Sequence, residues 1–266
     1  MRGYLIFNMK QRAFNVLGNV AIVNFSEGVK KKDKIEFANK ILKEQNNITT
    51  VLEKSGNFSG RLRKMKTSYL AGEKTKEVLY KENNCVFRFN VDTTYFSPRL
   101  SNERKEIASM IKKNENVLVM FAGVSPFSIV IAKNSKAKKI YSNELNREAN
   151  KYGELNISLN RVKDRVEFVK GDVKKVSKKL NDLFDVIVMP RPNLKDTFLE
   201  SAFNLSKRGT RIYYYGFCKI GEEKLIVEQI KKEAGKFKKK IKILKVKKAG
   251  EIAPYKMRVR IDFQVL

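Results

Sequence analysis

The sequence contains no histidine and only two cysteines. Without histidine the chain cannot form a Ser-His-Asp triad, a Cys-His dyad or most catalytic zinc sites. Cys85 and Cys218 are far apart and belong to no CxxC motif, so neither a disulfide framework nor a metal knuckle is indicated. We expect both to be packed thiols in a reducing compartment.

Long apolar runs and acidic residues are also scarce. No apolar stretch approaches the roughly 20 residues that span a bilayer, and the N-terminus has no signal-peptide pattern, which predicts a cytoplasmic protein that does not enter the membrane. Lys and Arg number 57 against 28 Asp and Glu, which gives a net charge of +29. A lysine-rich genome or adaptation to heat would usually raise glutamate as well. The imbalance therefore favours a polyanionic partner such as nucleic acid.

Lysine is concentrated in four clusters, at 30–34, 174–179, 231–240 and 245–248. Such clusters are candidates for phosphate contacts, although most runs of this kind are solvated helix faces. We expect only a minority of these lysines to touch nucleic acid.

The first part of the chain, residues 1–92, is typical of a small α+β domain. Alternating apolar residues at 14–25 predict two strands around Gly18, and the spacing of Ile35, Ala38 and Ile41 predicts a helix over 33–45. Further strands are predicted at 49–53, 61–70, 76–81 and 85–91, with a turn at 55–60.

The second part, residues 93–266, alternates short apolar strands with helical patterns. Strands are predicted at Val117–Phe121, Lys139–Ser142, Val166–Lys170, Val186–Met189 and Arg211–Tyr215, and helices at 146–159 and 194–205. This alternation indicates an α/β fold with a mostly parallel, doubly wound sheet, whose ligand lies at the carboxyl ends of the strands. The last two runs, 241–247 and 256–265, predict an antiparallel hairpin at one sheet edge.

A candidate cofactor loop follows the first strand of this sheet, in the sequence FAGVSP at 121–126. Gly123 would let a ligand approach the backbone, and the next helix would offer free N–H groups to a carboxylate. We expect Phe121, Ala122, Gly123 and Ser125 to contact the cofactor. Ser128 stands where a dinucleotide-binding GxGxxG motif has its third glycine, so NAD is disfavoured.

Two acidic residues follow the next two strands. Glu144, beside Leu145, could accept hydrogen bonds from both ribose hydroxyls, and Asp172, beside Val173, from an adenine amino group. In ordered combination with Gly123 they predict S-adenosylmethionine as the cofactor, without a metal. Alternatively, Glu144 is an ordinary strand-end carboxylate and Asp172 a helix N-cap.

Four segments carry a resemblance to a known family: YFSPRLSNER (95–104), MFAGVSPFS (120–128), NELNREANKYGELNISLNRV (143–162) and APYKMRVRIDF (253–263). Together they resemble the archaeal and eukaryotic tRNA (guanine-37-N1)-methyltransferases. The resemblance implies a class I Rossmann-like methyltransferase domain after a small domain. It also implies transfer of a methyl group to the guanine next to the anticodon. An archaeal branch also methylates C7 of the wyosine precursor 4-demethylwyosine, which gives isowyosine. We expect a monomer that acts on the anticodon loop of a tRNA, with tRNA-Phe as the first candidate.

The chain departs from the family pattern at three places. Val119 stands where the family commonly has Asp, and Ser125 replaces a usual second glycine. In MPRPN (189–193) Pro190 replaces the asparagine of an Asn-Leu-Pro sequence, while Pro192 is kept. The Pro form is similar to the wyosine-precursor branch. An extra N-terminal domain of the family is expected to be missing.

The resemblance also implies catalytic roles. Methylation of guanine N1 requires removal of a proton and stabilisation of charge at O6, so a carboxylate and a cation are needed. Glu103 is the candidate base and Arg63, or Arg61, the partner of O6. Pro190 and Pro192 would shape the pocket. Tyr95 would stack on the flipped base or fix the methionine end of the cofactor, and Arg99 and Arg104 would bind phosphate or the cofactor carboxylate.

Each role has a structural alternative. Glu103 and Arg104 could merely complement a helix dipole, Arg61 and Arg63 could touch only phosphate, and Tyr95 could fill a domain junction. Two other functions stay open at this point. One is methylation of another RNA, of DNA or of a protein, and the other is RNA binding by a catalytically decayed methyltransferase domain.

Overall fold

The strands that the structure describes form three groups in sequence order. The computed structural model describes residues 14–56 and 64–266, which contain a four-stranded sheet, a two-stranded hairpin and a seven-stranded sheet. Within these residues, none of the helices combines the length and the apolar character that crossing a membrane requires.

Four short strands and one helix form the N-terminal part. The sheet order is β1 (Phe14–Leu17), β2 (Val20–Val23), β3 (Thr50–Lys54) and β4 (Thr67–Gly72), and α1 (Lys31–Glu44) crosses from β2 to its parallel neighbour β3. Every residue of β2 is buried, and Ala38 and Ile41 of α1 pack on one of its faces. The predicted strand pair around Gly18 and the predicted helix are confirmed.

The turn between β1 and β2 packs against a hairpin formed by β5 (Glu77–Glu82) and β6 (Cys85–Asn90). Gly18 has a φ of +55°, and a Cβ atom there would lie 1.9 Å from the carbonyl oxygen of Leu79. Asn19 Oδ1 accepts a hydrogen bond from the Leu79 N–H at 2.7 Å. Only glycine fits this position, and the close approach fixes the first sheet on the hairpin.

The second part begins with a short 3₁₀ helix (Pro98–Leu100) and α2 (Ser101–Met110). The elements that follow are β7 (Asn116–Met120), α3 (Pro126–Asn134), β8 (Lys139–Glu144), α4 (Arg147–Leu159), β9 (Val166–Lys170), α5 (Val173–Val176), β10 (Phe184–Met189), α6 (Leu199–Asn204), β11 (Ser206–Lys219), α7 (Glu223–Lys236), β12 (Ile241–Ala253) and β13 (Lys256–Val265). The sheet order is β12-β13-β11-β10-β7-β8-β9. β7 to β11 are parallel, and β13 is antiparallel to both of its neighbours.

This arrangement confirms the predicted α/β class, the five parallel strands and the C-terminal hairpin. β11 is longer than predicted, because β13 pairs with it as far as Lys219. The helix predicted at 194–205 is wrong in its first half, since α6 begins only at Leu199. Residues 190–198 instead form a loop beside the site described below.

Asn156 of α4 and Asn160, the C-cap of that helix, attach the β5–β6 hairpin to the second part. The amide of Asn156 accepts from Arg88 N–H (2.7 Å) and donates to Arg88 O (3.0 Å). Asn160 makes the same pair of hydrogen bonds with Val86, at 2.9 and 2.6 Å. Both side chains are buried, so they bond to the outer edge of β6 as a neighbouring strand would.

Candidate active site

A cleft opens at the carboxyl edge of the seven-stranded sheet, where the strand order reverses between β7 and β10. It encloses about 960 Å³, counting the space that is open to solvent. Of the predicted site residues, those that line it are Tyr95, Arg104, Phe121, Ala122, Gly123, Glu144, Leu145, Val173, Pro190 and Pro192.

The loop after β7 forms one side of the cleft. Phe121, Gly123 and Ser125 all have positive φ angles, of 56°, 58° and 68°, which turn the chain sharply into α3. Ser125 is fully buried and does not line the cleft. Its Oγ lies 2.9 Å from Ser142 Oγ, so Ser125 ties the turn to β8 from below, and its cofactor contact stays a prediction.

Glu144, the last residue of β8, joins two loops at the cleft. Its Oε2 accepts from the Gly123 N–H at 2.8 Å and its Oε1 from the Asn146 N–H at 2.7 Å. A carboxylate offers about four acceptor positions, so one group can serve backbone donors and ribose hydroxyls together. The structure therefore brings Gly123 and Glu144 together, as the sequence predicted.

Two asparagines that the sequence analysis did not single out also shape the cleft. Asn143 donates to the carbonyl oxygen of Gly171 at 3.1 Å. Asn146 caps α4 by accepting from the Glu148 N–H at 3.0 Å and donates to Thr93 O at 2.8 Å. Asparagine followed by an acid in the first helical turn is a common N-cap pattern, so the Asn146 signal was present in the sequence.

Asp172 occupies the position of a helix cap. Its carboxylate accepts from the Lys174 N–H at 3.0 Å, at the start of α5. Gly171 and Val173 line the cleft, whereas Asp172 is not among the lining residues. The capping alternative is observed, and contact between Asp172 and an adenine amino group stays a prediction.

Arg104 braces the wall of the cleft that contains Tyr95. Its guanidinium is 1% exposed, binds the Glu82 carboxylate through two nitrogens and donates to Ser97 O at 3.0 Å. It also lies 5.0 Å from the centre of the Phe96 ring. Because Glu82 neutralises this charge, the visible role of Arg104 is to hold the wall, and its predicted contact with an anion remains untested.

Arg99 lies at the rim of the cleft. Its side chain is exposed, and Nη1 donates to the carbonyl oxygen of Glu251 in β12 at 3.5 Å. Ser97 and Leu100, on either side in sequence, line the cleft. A rim position suits the predicted phosphate contact of Arg99, which also remains a prediction.

Glu103 lies behind this wall in a buried ion-pair network. Its Oε2 accepts from the Tyr215 hydroxyl at 2.9 Å and from Arg260 Nη1 at 2.6 Å, and its Oε1 from Lys247 Nζ at 2.8 Å. Burial, with the nearby Glu103 charge, raises the pKa of Tyr215 well above its usual value, so the phenol is the donor. The structure does not bring Glu103 to the cleft surface, although Arg104 beside it lines the cleft. Its role as general base stays a prediction.

Glu106 shares the cations of this network. It accepts from Arg260 Nη2 at 2.8 Å and also from Lys247, and the hydrogen bond with Arg260 above all lowers its pKa from 4.5 to about 2. A depressed carboxyl pKa stabilises the fold above the unfolded pKa, and this stabilisation is lost as the pH falls.

We expect the free energy of unfolding of the wild type to exceed that of Glu106→Gln by a constant amount above about pH 5. The difference should shrink as the pH falls toward the folded pKa of about 2. Urea unfolding of both proteins across this pH range measures the difference in the free energy of unfolding. A difference that does not change with pH would contradict the ion-pair assignment.

Arg191 holds the loop after β10 in shape. It is 6% exposed, and its Nη2 donates to the carbonyl oxygens of Leu194 (2.6 Å) and Asp196 (2.5 Å). Its guanidinium lies 5.4 Å from the centre of the Tyr214 ring. Among the described residues its Nε is the one buried side-chain polar atom without a hydrogen-bond partner. The loop that carries Pro190 is therefore shaped from within by a neighbouring arginine.

Replacing Arg191 by Met should lower the free energy of unfolding by about 2–3 kcal/mol, because two loop carbonyl groups lose a charged donor. Urea unfolding measures the loss. Arg191→Lys, which keeps the charge and can reach one carbonyl, is the control and should lose less. Equal stability of Arg191→Met and the wild type would show that these hydrogen bonds contribute nothing.

The remaining predicted site residues, Arg61 and Arg63, lie outside the described residues. Within the described residues, five members of the lysine clusters form ion pairs: Lys34 with Glu53, Lys174 with Asp196, Lys245 with Glu106, Lys247 with Glu103 and Lys248 with Glu251. Among the residues that the structure describes, no group of three His, Cys, Asp or Glu side chains could hold a metal ion.

Comparison with known proteins assigns this chain to a family. Residues 78–247 match the model of the TRM5/TYW2 methyltransferase domain, and residues 8–75 match the TYW2 N-terminal domain. The chain belongs to the TRM5/TYW2 methyltransferase family. The predicted family, fold class and methyltransferase activity are thereby confirmed. The family match changes domain between residues 75 and 78, whereas the boundary at 92 stays a prediction.

Three TRM5/TYW2 relatives illustrate the similarity. The chain is 35% identical to the tRNA (guanine(37)-N(1))-methyltransferase Trm5b of Pyrococcus abyssi, over 95% of this chain and 74% of that protein. It is 33% identical to the tRNA (guanine(37)-N(1))/4-demethylwyosine(37)-methyltransferase Taw22 of Nanoarchaeum equitans, over 96% and 100%. The structure of M. jannaschii TYW2 in complex with AdoMet matches with a TM-score of 0.72 at 26% identity, over 96% of this chain and all of that one.

Proposed function

We propose that this member of the TRM5/TYW2 family transfers a methyl group from S-adenosylmethionine to nucleotide 37 of tRNA. The target is N1 of guanine, C7 of 4-demethylwyosine, or both. One observation carries the proposal: backbone N–H groups of two loops orient the Glu144 carboxylate in a cleft at the carboxyl edge of the sheet. We infer a monomer that works in the cytoplasm, with tRNA-Phe as the first candidate substrate.

S-adenosylmethionine is the methyl donor, and the residues of the cleft fit it. Glu144 would hold the ribose hydroxyls, and the apolar side chains of Leu145 and Val173 would flank the adenine. Backbone N–H groups at the start of α3 offer donors to the methionine carboxylate. When bound, the cofactor supplies an electrophilic methyl group.

Residues of the chain must remove a proton from guanine N1 and stabilise a developing negative charge. Guanine N1 carries a proton at neutral pH, and we assign its removal to Glu103. Its two oxygens accept hydrogen bonds from Arg260 and Lys247, and a substrate that displaces one of these partners would take its place beside the carboxylate. Arg63 or Arg61 would stabilise the negative charge that develops on O6, an assignment that comes from the sequence alone.

Pro190 is the proposed determinant of the choice between the two bases. It lines the cleft in a loop held by Arg191, and it offers no side-chain amide to a substrate. A flatter, apolar wall would admit the tricyclic wyosine precursor. We expect Pro190→Asn to raise the ratio of guanine N1 to wyosine-precursor C7 methylation by roughly 10-fold, the worth of one hydrogen bond. Pro192→Ala is the control for loss of a proline, and an unchanged ratio in Pro190→Asn would refute the assignment.

The function is tested with cofactor that carries a labelled methyl group and two tRNA transcripts. One bears guanine at position 37 and the other bears the wyosine precursor, and nucleoside analysis locates the label. Label at nucleotide 37 in either transcript is the expected result. Label in another nucleotide would support methylation of a different RNA site. Absence of both label and calorimetric S-adenosylmethionine binding would identify a decayed domain.

A further inference from the structure

The tip of the β12–β13 hairpin has an unusual turn. Pro254 and Tyr255 form a two-residue turn, since Ala253 pairs directly with Lys256. Tyr255 has a φ of +59°, in the left-handed region that favours glycine or asparagine. Its side chain is nevertheless 81% exposed, so packing does not offset the backbone cost. A strained, exposed aromatic residue is therefore a candidate for contact with a ligand.

The strands behind the tip place two like charges opposite each other. Lys219 at the end of β11 pairs with Lys256 at the start of β13, and both side chains are exposed. Like charges that face each other across antiparallel strands destabilise the sheet. Neither lysine forms an ion pair with a carboxylate of the described residues. An anion bound between them would relieve the repulsion.

The topology places this tip beside the cleft. The last pair between β10 and β11 joins Met189 to Tyr214, and β11 continues for five more residues to Lys219. At about 3.3 Å per residue, the hairpin projects roughly 16 Å beyond the carboxyl end of β10. Arg99 at the cleft rim donates to Glu251 in the same hairpin. The tip therefore flanks the mouth of the cleft.

We propose that the hairpin tip, defined as Lys219, Tyr255 and Lys256, binds an unpaired nucleotide of the RNA next to the target base. The Tyr255 ring stacks on the base, and the two lysines hold a phosphate. Exposed aromatic rings with neighbouring cations are the common means of binding single-stranded nucleic acid. The net charge of +29 favours RNA over an apolar protein partner. This inference rests on the proposed function, because it takes the RNA to be the methylated one.

The chain has no tryptophan, so Tyr255→Trp introduces a single fluorescent reporter at the tip. We expect its emission to be quenched by an unmodified anticodon stem-loop transcript and not by a fully paired RNA duplex. Quenching by neither RNA, or equal quenching by both, would overturn the stacking assignment.

Two further variants separate RNA binding from folding. Tyr255→Gly relieves the turn, so it should unfold at the same or a higher temperature, yet bind the stem-loop roughly 10-fold or more weakly. Tyr255→Phe should bind as the wild type does. Lys219→Glu would face Lys256 with an opposite charge and should likewise stabilise the protein while weakening RNA binding and its salt dependence.

The two proposals can fail separately. If the wild type methylates nucleotide 37 and Tyr255→Gly binds the stem-loop as tightly as the wild type, the tip inference is wrong and the proposed function stands. If the wild type transfers no methyl group while the stem-loop quenches Tyr255→Trp, the proposed reaction is wrong and the RNA contact stands.

Discussion

Glu103→Gln is expected to slow methyl transfer to guanine 37 by about 10²- to 10⁴-fold, the usual contribution of a positioned general base. Glutamine keeps the size of the side chain and can still accept from the Tyr215 hydroxyl, but it cannot take up a proton from guanine N1. Affinity for S-adenosylmethionine should be unchanged, since Glu103 does not line the cleft. Single-turnover rates and calorimetry measure the two quantities.

Glu106→Gln is the matched control, because Glu106 binds the same two cations, Arg260 and Lys247, without contacting Tyr215. It should retain most of the rate. Equal losses of rate in both variants, with equal losses of stability, would show that Glu103 only supports the fold. The base would then have to be sought among the residues that line the cleft.

Glu144→Ala should weaken S-adenosylmethionine binding by about 10²- to 10³-fold, because hydrogen bonds to a charged group contribute about 1.5–3 kcal/mol each. The substitution removes the acceptor for ribose and also frees the Gly123 and Asn146 N–H groups that Glu144 orients. Calorimetric titration with the cofactor gives the affinity.

Two variants make that result interpretable. Glu144→Gln keeps one acceptor oxygen, so its affinity for S-adenosylmethionine should lie between those of Glu144→Ala and the wild type. Glu148→Ala removes a half-buried carboxylate in the first turn of α4, where its ion pair is with Lys151, and should bind S-adenosylmethionine as the wild type does. A Glu144→Ala protein with normal affinity would remove Glu144 from the cofactor site.

The sequence predicted the parts of the site that follow from the regular βα succession. Gly123 lies in the loop after β7 and Glu144 ends the neighbouring parallel strand β8, so their approach is a consequence of the fold class. The surroundings of Glu103 could not be predicted, because Arg260 is 157 residues away and only the pairing of β11 with β13 brings it near. The loop that Arg191 shapes was predicted as part of a helix. A side chain that bonds to carbonyl groups of its own loop competes with helix formation, and the apolar pattern does not show such bonds.

Some contacts were visible in the sequence as alternatives. Asp172 has the pattern of a helix cap, and the cap is what the structure contains. Asn156 and Asn160 lie on a helix with the spacing of one turn, but a single sequence does not tell which strand such a pair will meet.

These two asparagines also close a surface on which another polypeptide could otherwise add a strand. An unpaired outer strand exposes a row of backbone donors and acceptors and is a common starting point for aggregation. Here the outward-facing groups of Val86 and Arg88 are already bonded to the amide side chains of Asn160 and Asn156. The hairpin between the two parts of the chain is thereby protected at these positions from edge-to-edge association, at the cost of two buried amides.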